Sequence, residues 1–322
     1  MKPLLCLIFL CPLIAIADEA VLKMHVFDAD QAEPVNQKNQ GLNMIIFDED
    51  NAVDESTAKP VSAKAETLAV DDKKHRYWSF GLKTGYQNES LVWQAAAPQV
   101  KENWHAVDLW NIQADLKLKL PVGFLVRGHA VYGGAFAGDL LQSNEFGDSN
   151  QAQLTSGYAM EFLGAVGYEF LLGNRNNQSV WGGITPLVGY EYQEQEYQAL
   201  NQRYQTEWQS GWIGLDMVLG FEKSHEIFMN SSLHWGDFNA LGSQSLYSLE
   251  QSASSQGYKA GIGYHFRPSD AWAISVGFNY QHWDTKSGNE SLVLPSGSVI
   301  ESELNSVMRD VYGVNVGVEF NF

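Results

Sequence analysis

The sequence predicts an all-β protein, a closed antiparallel transmembrane β-barrel of about ten strands that follows a signal peptide and a disordered leader. Three observations lead to this prediction: a short apolar run at the amino terminus, an acidic stretch behind it, and an alternation of apolar with polar or small residues from Tyr77 to Phe322. Inside a bilayer, β-structure pairs all its backbone polar groups only when it closes into a barrel.

Residues 1–17 are predicted to be a secretory signal peptide. A positive charge at Lys2 precedes an apolar run, and the run ends in the small residues of Ala15-Ile16-Ala17. The run is too short to remain as a membrane helix. A lipoprotein anchor is the alternative, but neither Cys6 nor Cys11, the two cysteines of the chain, follows the small residue that such processing prefers. Cleavage therefore leaves a mature chain without thiols.

Residues 18–76 are predicted to form a disordered periplasmic leader. Up to Asp72 this segment holds 13 acidic and 4 basic residues, a balance of −9, and it has too few apolar residues to build a core. One pattern, Met-x-(Val/Ile)-Phe-Asp-x-Asp, occurs twice, in Met24–Asp30 and in Met44–Asp50. It is either a chance similarity within an acidic tract or a duplicated peptide that a periplasmic partner binds as an added β-strand. Capture of a divalent cation by the Asp-x-Asp ends is a third interpretation, although two carboxylates alone make a weak site.

Residues 77–322 are predicted to form the barrel. In segment 110–120, apolar residues at even positions alternate with Asn, Gln, Asp and Lys, as expected for a strand between lipid and lumen. Segments 258–267, 272–281 and 312–322 show the same period of two. A soluble β-sandwich also alternates, but it does not explain aromatic residues at segment ends, which are typical of the two membrane interfaces. These residues are Trp181, Tyr190, Tyr192, Trp272 and Tyr280.

The connections between segments support ten strands. Short connections alternate with long polar ones, as in outer-membrane barrels with short periplasmic turns and long external loops. The strands are expected to begin near residues 77, 105, 123, 158, 180, 207, 226, 256, 271 and 305. The long loops are expected at 97–104, 139–156, 199–206, 238–255 and 285–303.

The chain ends in Phe322, with aromatic or apolar residues at alternate positions before it. This ending resembles the terminal signal by which the assembly machinery recognises outer-membrane barrels, and it implies that machinery as a partner. We therefore expect a bacterial outer-membrane location, with the leader in the periplasm, the loops outside the cell, and outer-membrane lipid and lipopolysaccharide as partners. The net charge of −18 argues against nucleic acid as a partner, because phosphates bind basic surfaces.

The lumen face is predicted to carry a network of charged and histidine side chains, because charges removed from water need partners. At about ten strands the interior is barely wider than these side chains, so a wide porin channel is not expected. No cofactor and no metal site is predicted, since phosphate-binding loops and zinc-hydrolase motifs are absent. The predicted network consists of Lys117, Lys119, Arg127, His129, Glu161, Glu169, Glu191, Asp216, Glu222, His234, Lys259, His265, Arg267 and Glu319.

A set of scattered motifs lies in the first half of the predicted barrel. The motifs are Ser90-Leu91-Val92-Trp93, Pro98, Trp104, Asp108, Gly133-Gly134-Ala135-Phe136-Ala137-Gly138-Asp139 and Gly147-Asp148-Ser149. They resemble the omptin-like barrels and, within them, the Protochlamydia outer membrane protein family. The resemblance implies an outer-membrane barrel over residues 77–322 and, from the omptins, a surface protease that activates water with an Asp pair and an Asp-His pair.

The residues that such a protease needs match poorly. Asp139 and Asp148 are nine residues apart, and His282-Trp283-Asp284 has the reverse of the Asp-x-His order. Because residues two apart on a strand share a face, His282 and Asp284 are expected to lie close together near the external rim. We therefore expect a non-enzymatic role in surface display or as a narrow pore. An omptin-like endopeptidase and an adhesin that binds a host or envelope ligand through its external loops are the alternatives.

Overall fold

The computed structural model describes residues 77–95, 100–120, 123–144, 149–173, 179–199, 201–244 and 247–322. The predicted signal peptide and leader lie outside the described residues, and so does the candidate Asp148. Within these ranges there is no helix that is long and apolar enough to span a membrane.

The described chain is built from twelve β-strands. Their bounds are β1 Trp78–Ala95, β2 Val100–Lys119, β3 Phe124–Asn144, β4 Ser149–Tyr168, β5 Phe170–Leu172, β6 Val180–Ala199, β7 Gln202–Phe221, β8 His225–Gln244, β9 Tyr247–Ser269, β10 Trp272–Thr285, β11 Gly288–Val293 and β12 Val299–Asn321.

Ten long antiparallel strands close into a barrel, because β12 pairs with β1 as well as with β10. The short β5 continues β4 along β6, and β11 is a short strand between β9 and β12. The closing ladder runs from Ser79↔Asn321 to Ala95↔Leu304 and has one irregularity. The predicted closed barrel of ten strands is confirmed.

Two belts of exposed aromatic residues surround the barrel. We call the end that carries Tyr77 and Phe322 the terminal end, and the opposite end the distal end. Tyr312 and Phe322 are ten residues apart, roughly 26 Å in height for a strand tilted by about 40°, which suits the apolar band of an outer-membrane barrel. The terminal belt includes Trp78, Phe124, Phe170, Trp272 and Phe320. The distal belt includes Trp110, Tyr132, Tyr190, Trp235 and Tyr312.

The strands continue well beyond the distal belt, so the predicted long loops are mostly strand. β6 and β7, for example, pair up to Ala199↔Gln202, nine residues beyond Tyr190. The start predicted near residue 158 lies at Ser149, and the start predicted near 256 lies at Tyr247. Both predicted starts lie too far along the chain, because the segments beyond the belt are polar and polar segments were assigned to loops.

The outward and inward faces exchange character at the distal belt. On β2, Ile112 and Trp110 point outward, 64% and 57% exposed, whereas the adjacent Leu109 is buried inside. Beyond the belt the outer wall is mostly polar, and the interior holds a large apolar cluster together with some buried polar side chains. This exchange follows from the surroundings, because the wall faces lipid in the apolar band and water beyond it. The part beyond the distal belt is called the distal extension below.

An arginine on the lipid face tests the position of the apolar band. Val316 is outward-facing and 51% exposed between the belts. We expect Val316→Arg to lower the free energy of unfolding in lipid vesicles by about 2–4 kcal/mol, because a charge near mid-bilayer is costly. The measurement is urea unfolding followed by heat-modifiable migration on gels.

The matched control is Ser252→Arg, which places the same side chain on an exposed outer position of β9 in the distal extension. We expect it to change stability by less than about 0.5 kcal/mol. Equal losses in the two variants would contradict the assignment of the apolar band.

Candidate functional site

The interior of the distal extension is filled by an apolar plug. Nine of the ten long strands contribute to it, and the remaining one, β4, packs Ala152, Leu154 and Ala159 against it. Every member is at most 5% exposed. The plug consists of Leu91, Trp93, Trp104, Val107, Leu109, Leu140, Tyr197, Ala199, Tyr204, Trp208, Phe238, Ala240, Leu249, Trp283, Leu304 and Val307.

Aromatic rings form the centre of the plug. The Trp208 ring lies 4.6 Å from the Phe238 ring and 5.5 Å from the Trp283 ring, measured between centroids. All three side chains have no exposed surface. Rings in such contact leave no space for water between them.

Glycine makes room for the rings of the plug. A Cβ added to Gly157 would lie 2.7 Å from the Tyr197 ring, and one added to Gly257 would lie 2.7 Å from the Trp283 ring. The large rings therefore pack directly against the backbone of the neighbouring strand. This is the local reason why a narrow barrel holds four tryptophans in one layer.

A charged layer lies between the plug and the terminal end. One group is centred on Asp115, which meets Lys83 Nζ at 2.9 Å and His129 Nδ1 at 2.9 Å. Arg127 links this group to Asp216 through a contact of 3.2 Å. The cations and carboxylates alternate, so each buried charge has an opposite charge beside it.

A second group connects the charged layer to the plug. Lys259 contacts Glu191 and lies 3.0 Å from Glu161, and its ammonium stands 5.9 Å from the centre of the Trp283 ring. His234, fully buried, places Nδ1 3.3 Å from Glu191. Plug and charged layer thus form one continuous packed interior.

Two further groups complete the layer. Arg267 donates to Glu226 at 2.7 Å and to Glu319 at 3.3 Å near the terminal end. Arg309, just beyond the distal belt, donates to Glu89 at 2.8 Å and also to Gln193. Glu89 and Arg309 are 1% and 5% exposed, so this ion pair is shielded from water.

The structure brings most of the predicted network residues together, but not all. Lys119 pairs with Glu169 at the terminal end, and Lys117 lies on the inner face of β2. Glu222 corrects the prediction, because it is exposed in the turn after β7 with a φ of 56°. Trp181 was also assigned wrongly, since it is buried on the inner face of β6 rather than in an aromatic belt.

Sequence reasoning missed the plug and several buried ionic residues. Glu89, Glu226 and Arg309 occupy inner positions that a period of two, extended along each strand, would have assigned to the lumen. The plug also had a signal: apolar residues change from one face to the other at neighbouring positions such as Leu109 and Trp110.

The protease candidates are not brought together. Asp139 precedes the buried Leu140 and lies on the outer face of β3. His282 and Asp284 lie on the outer face of β10, and His282 Nδ1 contacts Asp310 Oδ1 at 2.9 Å rather than Asp284. Three strands, β12, β1 and β2, separate β10 from β3 in the sheet. His282 and Asp284 share a face of β10 as expected, but that face points outward, and His282 is hydrogen-bonded to Asp310.

Metal binding has no support among the described residues. No group of three or more His, Cys, Asp or Glu side chains in that part of the chain is arranged to hold an ion.

The comparison with protein families gives one match that covers most of the chain. The sequence matches the family described as Protochlamydia outer membrane protein over residues 81–322. A search of curated proteins found no match.

Several solved structures match the chain, with very different TM-scores. The outer membrane protease OmpT from Escherichia coli is 11% identical, with a TM-score of 0.62, and the match covers 76% of this chain and 97% of that chain. OprG from Pseudomonas aeruginosa is 10% identical, with a TM-score of 0.34, over 77% of this chain and 97% of that one. Ail of Yersinia pestis is 11% identical, with a TM-score of 0.28, over 76% and 99%. The likeness to OmpT shows the fold alone.

Removing the cation of a buried ion pair tests the charged interior. Arg309→Met leaves Glu89 buried without its cation, and we expect the free energy of unfolding to fall by about 3–5 kcal/mol. The measurement is urea unfolding in lipid vesicles, followed by tryptophan fluorescence.

Arg203→Met is the matched control, because Arg203 is 53% exposed and pairs with Glu196 at 2.6 Å on the outer wall. That change should cost less than about 1 kcal/mol. Adding Glu89→Gln to Arg309→Met should restore part of the loss. A similar cost for both arginines would show that the interior is open to water.

Proposed function

The chain belongs to the Protochlamydia outer membrane protein family, and we propose that it acts in the outer membrane as a sealed, non-enzymatic barrel that displays a binding surface outside the cell. The observation that supports this proposal most strongly is the apolar plug, whose side chains come from nine strands and are at most 5% exposed.

The plug argues against solute passage. An ion in transit would have to replace its hydration shell with contacts to Trp208, Phe238 and Trp283, none of which carries a charge. In the charged layer below it, Glu191 and His234 have no exposed surface, so water does not reach these two side chains.

The interior also argues against omptin-like proteolysis. Such a protease needs acidic and histidine groups that converge on one water molecule. Here Asp139 and His282 lie on outer faces of well-separated strands, and the interior of the distal extension is filled by the apolar plug.

The distal extension is the part that we assign to the cell exterior. Both described chain ends lie at the terminal end, as in barrels whose ends return to the periplasm. The outer wall of the extension offers an open polar groove of about 1160 Å³ between β8, β9 and the β11–β12 hairpin. Its lining includes Asp237, Asn239, Ser252, Ser254, Asn289 and Glu303. Short hydroxyl and amide side chains with carboxylates suit hydrogen bonding to a polar ligand.

Single-channel recording tests the sealed state. We expect the purified barrel in planar bilayers to show no steps in current, because the plug excludes water. The double variant Trp208→Ala/Trp283→Ala removes two central rings, and we expect it to produce current steps.

The control is Trp235→Ala, which removes a lipid-facing ring that is 51% exposed and should leave the barrel closed. Heat-modifiable migration must show that all variants are folded, since each buried Trp→Ala change costs about 3–5 kcal/mol. Steady conductance of the unaltered protein would instead support the narrow pore.

Incubation with dibasic peptides tests the enzymatic alternative. We expect no cleavage above background, with or without lipopolysaccharide, because the acidic and histidine groups do not converge. Cleavage that is lost in Asp139→Asn or in His282→Ala would support an omptin-like endopeptidase and contradict the proposal.

A further inference from the structure

Two carboxylates are buried at the distal end, beyond the apolar band. Glu102 on β2 and Glu290 on β11 are each 4% exposed. Gln142 Nε2 donates to Glu102 at 2.6 Å. Gln251 Nε2 donates to Glu290 at 2.7 Å, and the Ser302 hydroxyl donates to it at 2.9 Å. All these donors are neutral, so neither carboxylate has a cation as its hydrogen-bond partner.

The two carboxylates face one cluster of side chains. Tyr204 donates its hydroxyl to Gln251 at 2.7 Å, and Gln251 in turn holds Glu290. The Tyr204 ring stacks on Trp93 with centroids 6.0 Å apart, and Trp93 is the cross-strand partner of Glu102. Tyr204 and Trp93 therefore connect the surroundings of Glu102 with those of Glu290.

No basic side chain enters this cluster from the described parts of the strands packed around it. β1 contributes Trp93, β3 contributes Gln142, and β7 contributes Gln202 and Tyr204. β9 contributes Tyr247 and Gln251, β11 contributes Glu290, and β12 contributes Ser302. The titratable groups are thus two carboxyls and two phenols.

Burial and like charge determine the protonation of the cluster. Burial, with Glu290 nearby, raises the pKa of Glu102 to about 7. Burial also raises the pKa of the Tyr204 phenol, and that of Tyr247 to about 12, so both phenols keep their protons. Near neutral pH, the proton on Glu102 is the one in this cluster that is readily lost.

Glu290 belongs to a hairpin that continues the barrel wall between β9 and β12, beside the plug. We call this hairpin, residues 288–304, the cap. It pairs with β9 through only five residue pairs, Asn289↔Ser252 to Val293↔Ser248, and Leu292 packs against the plug. Glu290 joins the cap to β9 through its hydrogen bond to Gln251. An element held by so short a ladder is expected to open before the rest of the barrel.

We propose that Glu102 and Glu290 form a proton-operated latch that holds the cap against β9. With Glu102 protonated, the cluster contains one negative charge and every carboxylate is hydrogen-bonded. Loss of the proton places two negative charges in a buried site to which the described residues bring no cation, and the repulsion between them is relieved when the cap separates from β9 and admits water.

The direction of the pH dependence follows from linkage. The closed state binds the proton more tightly than the open state, where Glu102 titrates as an exposed carboxyl, near its ordinary value of 4.5. The closed cap therefore loses stability as the pH rises from about 4.5 to 7, and the loss levels off above this range. Between pH 6 and pH 8.5 the opening equilibrium is expected to rise about tenfold.

Hydrogen exchange measured by mass spectrometry tests the latch on the full barrel in lipid nanodiscs. After correction for intrinsic exchange, we expect protection of the cap amides to fall about tenfold between pH 6 and pH 8.5. Protection of β1 and β6 within the apolar band should remain unchanged. In Glu102→Gln the cap should stay protected at both pH values, because the amide keeps the shape and cannot lose a proton.

Two further variants keep the test decisive. Glu290→Gln should also remove the pH dependence, since a single remaining carboxylate has no like charge to repel. Glu301→Gln neutralises an exposed carboxylate on the same hairpin and should keep the response of the unaltered protein. An unchanged cap between pH 6 and pH 8.5, or a response that persists in both Glu102→Gln and Glu290→Gln, would overturn the proposal.

Discussion

The structure of this barrel depends on one constraint. Where the strands extend beyond the bilayer, their apolar and polar faces must be exchanged. Between the belts the outward residues meet lipid, so charge is confined to the interior. Beyond the distal belt the outer wall meets water, and the interior becomes an apolar core like that of a soluble protein. The plug, the charged layer and the length of the strands all follow from this exchange. The cap completes the wall beside this core, between β9 and β12.

The two interior layers depend on each other. A buried charge is favourable only where the side chain of opposite charge is held in place beside it. The packed plug holds these ion pairs in place by keeping water away. In turn, Lys259 beneath the Trp283 ring and His234 against Glu191 anchor the plug to the charged layer. The two layers therefore pack as one interior.

The membrane-spanning part of the fold was predictable from the sequence, because period two over residues 110–120 determines which side faces lipid. The same period assigned Arg127 and Lys259 to the lumen. The plug was not predicted, because a tryptophan can indicate either a membrane interface or a buried core. Trp208 and Trp283 lie beyond the distal belt, and there they belong to the core. Arg309 and Glu89 are 220 residues apart in the sequence, and closure of the barrel brings them together. A local sequence pattern does not predict such a contact.

The plug also has a mechanical consequence. It joins nine strands at one level. Because these side chains are closely packed, the wall around them resists bending and shear. The outer groove between β8 and β9 is built on this braced section. A partner that meets such a preformed surface loses little entropy in ordering it, so even a modest set of polar contacts yields useful affinity.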